Sequence, residues 1–325
     1  MENKLIKLSR TIARKNNFII NKLIYQAFSI SKGDWRNVIF SGRYKNKNAV
    51  LKVYDEERVT QEPLWLKYYN NINTSKLLLA PKLYKYKIYS SARGWLIMEK
   101  LPVNSFLKSP LNSVQRQKFL ELFLIYRKIL PVKPKSILNL VERLPAGDYH
   151  IFRTAKWLKM ANDKQAAMGV KILKPEQIIP RYLKAKEIIT KAFKQRKMIF
   201  CHGHFKPKEI AQVNGKYYLT DFSHMKLYPE GYELAFMIWA DYLLPGNWRL
   251  NYKQWRKGVD SWLKDLSKIA SVLKIKDYDS LISASLIERI MGTILADITS
   301  TSKSKSEKIK RISLLYNLFD DLVKY

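Results

Sequence analysis

One cysteine, Cys201, is all the chain carries in 325 residues, which excludes a disulfide framework and points to a reducing compartment. Long apolar runs are missing as well. The best candidates, 234–240 and 281–298, are too short or are broken by Glu288 and Arg289, so none reaches the roughly 18 apolar residues of a membrane span. Lys4, Lys7, Arg10, Arg14 and Lys15 scatter charge through the N-terminus, where a secretion signal would need an apolar core. These absences predict a cytoplasmic protein with no membrane span. No repeat of 20–50 residues stands out, which argues against a solenoid or propeller.

Acidic residues are scarce: 27 against 60 lysines and arginines, for a formal charge of +33. A field of that size would attract nucleic acid, anionic lipid or polyphosphate ligands. Of the basic residues, 44 are lysines and 16 arginines, spread over the whole chain. A recognition surface usually clusters its charge and favours arginine. The excess therefore reads as compositional bias, and nucleic-acid binding is the least favoured of three functional classes. The chain is 47% hydrophobic, enough for a substantial core, and its length suits one large two-lobed unit or two domains.

The first third is rich in strand signals. Residues 1–30 have helix-like spacing, with Ile6, Ile12, Ile19 and Leu23 among the apolar positions. A hairpin follows, Asn37–Gly42 and Ala49–Tyr54, around the polar turn Lys45–Asn48. A helix from Pro63 to about Asn70 precedes two further strands, 82–89 and 94–99. Beyond Pro102 the spacing turns helical over 114–130, 148–168, 180–196, 232–244, 252–273, 278–298 and 303–323. One strand pair, 198–202 with 216–221, interrupts the helices, with Asn214-Gly215 as its turn and 300–308 as a solvated connector further on.

The most informative stretch is Ile199–Ile210, reading Ile-Phe-Cys-His-Gly-His-Phe-Lys-Pro-Lys-Glu-Ile, followed closely by Tyr218-Leu-Thr-Asp-Phe-Ser223. A strand, a polar loop and a hairpin ending in an aspartate suit phosphoryl transfer. That reaction needs a group to orient the attacking hydroxyl and oxygen ligands for Mg2+ on the ATP phosphates. His202, His204, His224 and Cys201 lie close in sequence, but Cys201 and His202 should point to opposite sides of one strand, which argues against zinc. His202 reads as a structural histidine bracing the loop.

These residues resemble the aminoglycoside phosphotransferase and choline-kinase-like family, whose members carry H-G-D-x-x-P-x-N, then D-F, then Y-D-L-A. Here the order is His202-Gly203-His204-Phe205-Lys206-Pro207-Lys208-Glu209, then Asp221-Phe222, then Tyr232-Glu233-Leu234-Ala235. The resemblance implies an α+β, two-lobed protein kinase-like fold. Residues 1–97 would form the small β-rich N-lobe with its N-terminal helix, 98–104 the hinge, and 105–325 the helical C-lobe, with ATP between the lobes.

Residue by residue, the resemblance implies that Lys52, in Val50-Leu51-Lys52-Val53, contacts the ATP phosphates and is oriented by a glutamate. Glu62 is the first candidate for that glutamate, with Glu56 and Glu57 as alternatives, because Pro63 would leave Glu62 at the helix start. The nucleotide loop 31–36 holds one glycine, Gly33, and no G-x-G-x-x-G. Met98, Glu99 and Lys100 would lead into the adenine-binding hinge. Asp221, with Glu209 as a second ligand, would hold Mg2+, and Glu233 would take the structural acidic role of Y-D-L-A. Lys206 resembles the lysine that protein kinases keep beside their catalytic aspartate and would offset charge on the transferred group.

Two departures from the pattern bear on activity. His204 stands where the family has its catalytic aspartate, and Glu209 where it has a metal-binding asparagine. A neutral imidazole can accept the substrate proton, but it is bulkier and tends to be protonated beside phosphates. Three readings follow: a phosphotransferase acting on the hydroxyl of a small molecule with His204 facing it, a pseudokinase that binds nucleotide or a partner, and a basic binder on a kinase-like frame.

Overall fold

The computed structural model describes residues 3–29, 33–56, 61–130, 146–169, 171–194 and 196–324. By packing, the chain divides into two compact units. The first takes Met1–Leu107, Ile125–Pro131 and Lys208–Met225; the second takes Lys108–Leu124, Val132–Pro207 and Lys226–Tyr325.

The first unit is built on a five-stranded antiparallel sheet. Helix α1 (Lys4–Lys15) is amphipathic and capped by the Asn3 side chain, which accepts the Leu5 N–H at 2.8 Å. The strands are β1 (Phe18–Ser29), β2 (Asp34–Tyr44), β3 (Lys47–Asp55), β5 (Leu83–Ile88) and β6 (Arg93–Glu99), in the order β1-β2-β3-β6-β5. Leu5, Ile12 and Ala13 of α1 share a core with Val38, Phe40, Leu51, Val53, Trp95 and Ile97 of the sheet. The turn between β2 and β3 is only Lys45-Asn46, both at positive φ (48° and 60°), which matches the right-handed twist of the flanking strands.

Here one expectation is corrected. Ile19 and Leu23 belong to strand β1, not to a helix. Asn16 and Asn17 stop α1, the latter at φ 53°, and the β-branched run that follows pairs with β2. Helix α2 (Glu62–Ile72) carries proline in its first turn, where no N–H is missed, and buries Trp65, Leu66 and Tyr69.

A small second sheet completes this unit. Strand β8 (Ile210–Val213) runs antiparallel to β9 (Lys216–Leu219), which pairs in parallel with β4 (Leu78–Leu79). The strand pairing expected for this region is corrected too. Asn214-Gly215, at φ 50° and 73°, does form a tight turn, but it joins β8 to β9. Strand β7 (Met198–Cys201) pairs instead with β10 (Lys226–Pro229) in the second unit. A two-residue turn can link only its immediate flanks, so Ile210–Val213 had the prior claim on it.

The second unit is mainly helical: α3 (Ser113–Ile129, its last turn in the first unit), α4 (Ala146–Ala167), α5 (Pro175–Phe193), α6 (Tyr232–Ile238), α7 (Tyr252–Val272), α8 (Tyr278–Thr299) and α9 (Lys305–Val323). Helix α5 starts at Pro175 and carries Pro180 inside it. Helix α6 passes directly into a π-helical turn, Trp239–Leu243, whose end is fixed by Arg311: its guanidinium donates to the carbonyls of Leu244 and Gly246, both at 2.9 Å. The expected connector shortens, because Ser304 accepts the Glu307 N–H and starts α9 at Lys305. No helix among the described residues is long and apolar enough to cross a membrane.

Candidate active site

Strand β3 lies third of five, so β2 and β6 flank it, and Ala49–Tyr54 are all buried. Lys52 sits within that run at 6% exposure, not on an edge strand as an ordinary surface lysine would. A buried ammonium needs a counter-charge. Glu62, 1% exposed in the first turn of α2, supplies it at 2.5 Å from Nζ. Asp221 Oδ1 lies 3.8 Å from the same nitrogen. Burial would lower the Lys52 pKa, but Glu62, Asp221 and Glu209 outweigh it and hold it above its ordinary value. Burial pushes the Glu62 carboxyl above its ordinary value, and the Lys52 ammonium pulls it part of the way back. Of the alternatives, Glu56 faces Arg36 at 3.7 Å, and Glu57 lies outside the described residues.

The β8–β9 hairpin brings Glu209 and Asp221 to the same end of the small sheet. Glu209 closes a short 3-10 turn before β8, and Thr220 follows β9. The Thr220 N–H donates to the Glu209 carbonyl at 2.9 Å and its hydroxyl to Glu209 Oε2 at 3.0 Å, which fixes that carboxylate. Asp221 adopts a left-handed conformation, φ 55° and ψ 63°, which aspartate tolerates better than most residues. Its Oδ1 accepts the Ser223 hydroxyl at 2.6 Å, and a His224 ring nitrogen lies within 4.8 Å of its carboxylate. Phe222 anchors the turn against Tyr69, ring centroids 5.2 Å apart. Glu62, Asp221 and Glu209 all act on the Lys52 ammonium. With the neighbouring hydroxyls they form a hard oxygen-donor set of the kind that suits Mg2+. Thr220 and Ser223, which hold the acids in place, carry no signal of their own in the sequence.

The remaining nucleotide candidates are dispersed. Gly33 sits at φ 68° in the exposed turn between β1 and β2, and Ser31 and Lys32 lie outside the described residues. Met98, Glu99 and Lys100 are half-buried at the end of β6. The Glu99 N–H donates to the Lys82 carbonyl at 2.9 Å and the Lys100 N–H to the Asn48 carbonyl at 3.2 Å. Those two donors are therefore spent within the sheet.

In the second unit, the loop after β7 carries His202, Gly203, His204 and Lys206. His202 is fully buried and its Nδ1 accepts the His204 N–H at 3.3 Å. Gly203, at φ 75°, donates its N–H to Glu233 Oε1 at 3.1 Å, so the acid of Tyr232-Glu233-Leu234-Ala235 holds the loop backbone. Phe205 is buried between Phe119 and Phe123, with centroids 5.1 and 5.3 Å away. Lys206 is half-buried. The His204 ring stacks on Phe236, 4.8 Å between centroids at 25°.

Beside this loop lies a cluster that sequence reasoning missed. Glu288, fully buried on α8, binds His150 Nδ1 at 2.7 Å, Arg153 Nε at 2.9 Å, Arg289 and the Tyr232 hydroxyl. Its signal was the charged pair Glu288-Arg289 inside an otherwise apolar helix, which served only to exclude a membrane span. Burial lowers the His150 pKa to about 4 and leaves the ring neutral near pH 7.

No protein-family model matches the chain, and no curated protein matches it. Solved structures do. Aminoglycoside phosphotransferase APH(4)-Ia, a thermostable mutant bound to ADP and hygromycin B, superposes with a TM-score of 0.58 at 11% identity, covering 98% of each chain. Spectinomycin phosphotransferase APH(9)-Ia, with ADP and spectinomycin, gives 0.58 at 11% identity over 100% of both chains. Amicoumacin kinase hAmiN, with AMP-PNP, Ca2+ and Ami, gives 0.64 at 11% identity over 98% of this chain and 96% of its own. A β-sheet N-terminal region, a helical C-terminal region and end-to-end agreement with these enzymes give the chain the kinase-like α+β fold of the aminoglycoside phosphotransferases.

Proposed function

We propose that the chain is an ATP-dependent phosphotransferase acting on a hydroxyl of a small molecule. One observation carries the reading: the buried Lys52–Glu62 pair with Asp221 3.8 Å from the same ammonium. Desolvating a lysine and an acid in a protein core is costly, and a phosphate chain with its metal is a partner that suits this combination. The full-length likeness to small-molecule kinases supports the same reading.

In this reading Lys52 neutralises the α- and β-phosphates, and Glu62 holds its ammonium in place. Asp221 and Glu209 would bind Mg2+, which when present draws charge from the phosphate oxygens. Gly33 lets the β1–β2 turn bend over the nucleotide, and the chain from Met98 to Leu101 meets the adenine through its backbone. His204 accepts the acceptor's proton, which is worth about 10²–10⁴-fold in such sites. Lys206 offsets charge on the transferred group. Stacking on Phe236 restrains the His204 ring, so the imidazole loses little freedom when an acceptor binds.

A second reading, a nucleotide-binding pseudokinase, is favoured by that same imidazole at the position of a catalytic aspartate. ADP release from ATP and Mg2+, measured over a panel of hydroxylated small molecules, separates the two. Turnover that falls about 100-fold in His204→Ala, with ATP affinity unchanged, is the expected result. ATP binding without ADP formation for any acceptor, in the parent chain and in His204→Asp alike, would leave the pseudokinase reading standing.

A further inference from the structure

Among the described residues of the second unit, two guanidiniums share one carboxylate next to the histidine proposed to face the acceptor. Arg153 and Arg289 share the carboxylate of Glu288, and of the other two groups on it His150 is neutral and Tyr232 donates its hydroxyl. Lys226 adds its ammonium to the same field, 3.7 Å from the Tyr149 ring centroid. Both guanidiniums lie against aromatic faces: Arg153 over Tyr149 and Trp157 at 4.8 and 4.9 Å, Arg289 over Trp157 and Trp239 at 5.1 and 5.4 Å. The two cations thus divide one carboxylate between them, against aromatic faces that favour a positive charge.

Tyr149 lies in the field of these cations. Burial would raise its phenol, yet Arg153 and Lys226 outweigh burial and bring it below its ordinary value.

The cluster is also open on one side. Tyr149, Trp157, Lys226 and Trp239 are half-buried, while Tyr232, Glu288 and Arg289 beneath them are buried. It reaches His204 through a single ring: Phe236 lies 5.5 Å from the Arg289 guanidinium and stacks on His204.

We propose that Lys226, Arg153, Arg289 and Tyr149 form a subsite for a carboxylate or phosphate group on the acceptor, so that the hydroxyl substrate is an anionic molecule. Trp157 and Trp239 form the apolar wall of the subsite. A polyamine would meet like charge here and be rejected. As an account of the acceptor, the inference rests on the phosphotransferase reading; as a statement about anion binding, it stands apart from it.

The test uses the full chain and isothermal titration calorimetry with inorganic phosphate, glucose 6-phosphate, gluconate, glucose and kanamycin. At least one of the three anions should bind about tenfold or more tightly than glucose, with kanamycin no better than glucose. Glucose 6-phosphate and gluconate distinguish phosphate from carboxylate. Lys226→Gln, at a half-buried position that should leave folding intact, should weaken the preferred anion about tenfold, as expected for one lost charge-assisted hydrogen bond. Tyr149→Phe should weaken it by less, and Lys52→Ala should leave it unchanged. Equal affinity for neutral and anionic sugars, an unaltered affinity in Lys226→Gln, or anion binding abolished by Lys52→Ala would each overturn the subsite. Titrations with ATP and Mg2+ keep the two claims separate. ATP binding without anion preference refutes only the subsite, whereas a Lys226-dependent anion site in a chain that ignores ATP refutes the phosphotransferase reading and leaves the subsite standing.

Discussion

Replacing Lys52 with methionine keeps the length of the side chain and removes its charge, which strands Glu62 at 1% exposure with Asp221 as a like-charged neighbour. A carboxyl in that position takes up a proton instead of remaining ionised. Holding a glutamate with an ordinary pKa near 4.3 protonated at pH 7 costs about 1.36 kcal/mol per pH unit, or about 3.7 kcal/mol. At pH 5 the same cost falls to about 1 kcal/mol. In the variant the folded-state pKa of Glu62 is raised above its unfolded value, so the penalty is small near pH 4 and grows as the pH rises. Urea unfolding followed by tryptophan fluorescence at pH 5 and pH 7 measures both values. Adding Glu62→Gln removes the stranded acid, so the double variant should recover most of the loss at pH 7. An equal loss at both pH values, or a double variant no more stable than Lys52→Met alone, would refute the reasoning.

Three further perturbations test other parts of the structure. Glu288→Gln leaves the buried Arg289 and the half-buried Arg153 without their shared carboxylate and should cost roughly 3–5 kcal/mol in urea unfolding, since removing one partner of a buried ionic network is far costlier than its net worth. His150, held to about 4 in the folded chain, binds its proton more readily when unfolded, so it makes stability rise between about pH 4 and 6.5. His150→Gln should flatten that rise by about 3 kcal/mol across the window, measured against the parent chain. Gly42→Ala would drive a Cβ into the Ile19 carbonyl and the Phe18 ring, so β1 must move; hydrogen exchange should show lost protection confined to β1 and β2.

Much of the fold was legible because its signals are local. The β2–β3 hairpin, the buried Val50–Val53 run and the helix periods of the second half are set by nearest neighbours, and the structure follows them closely. What the sequence concealed depends on distant partners. Strand β7 had two plausible companions, and nothing in Met198–Cys201 favours Lys226–Pro229 over Lys216–Leu219. Strand β1 read as helix because Ile19 and Leu23 fit a 3.6-residue spacing across the Asn16-Asn17 break.

The candidate site was legible where spacing carries chemistry. Lys52, Glu62 and Asp221, 159 residues apart between the last two, come together around one ammonium. The anchors were not legible: Thr220, Ser223 and the Arg153–Glu288 network matter only through side chains brought in from other elements. Glu288-Arg289 was visible as an oddity in an apolar helix, but its meaning required Arg153 and His150 from α4.

Whether Lys52, Glu62 and Asp221 form a nucleotide site is decided by thermal unfolding of the purified chain with ATP, with and without Mg2+. At about 100 times its dissociation constant a ligand adds roughly 2.7 kcal/mol to stability, well within reach of a melting curve. The expected result is a Mg2+-dependent rise in Tm that Lys52→Ala and Asp221→Ala each abolish. An unchanged Tm at saturating ATP and Mg2+, or a rise that survives both substitutions, would contradict it.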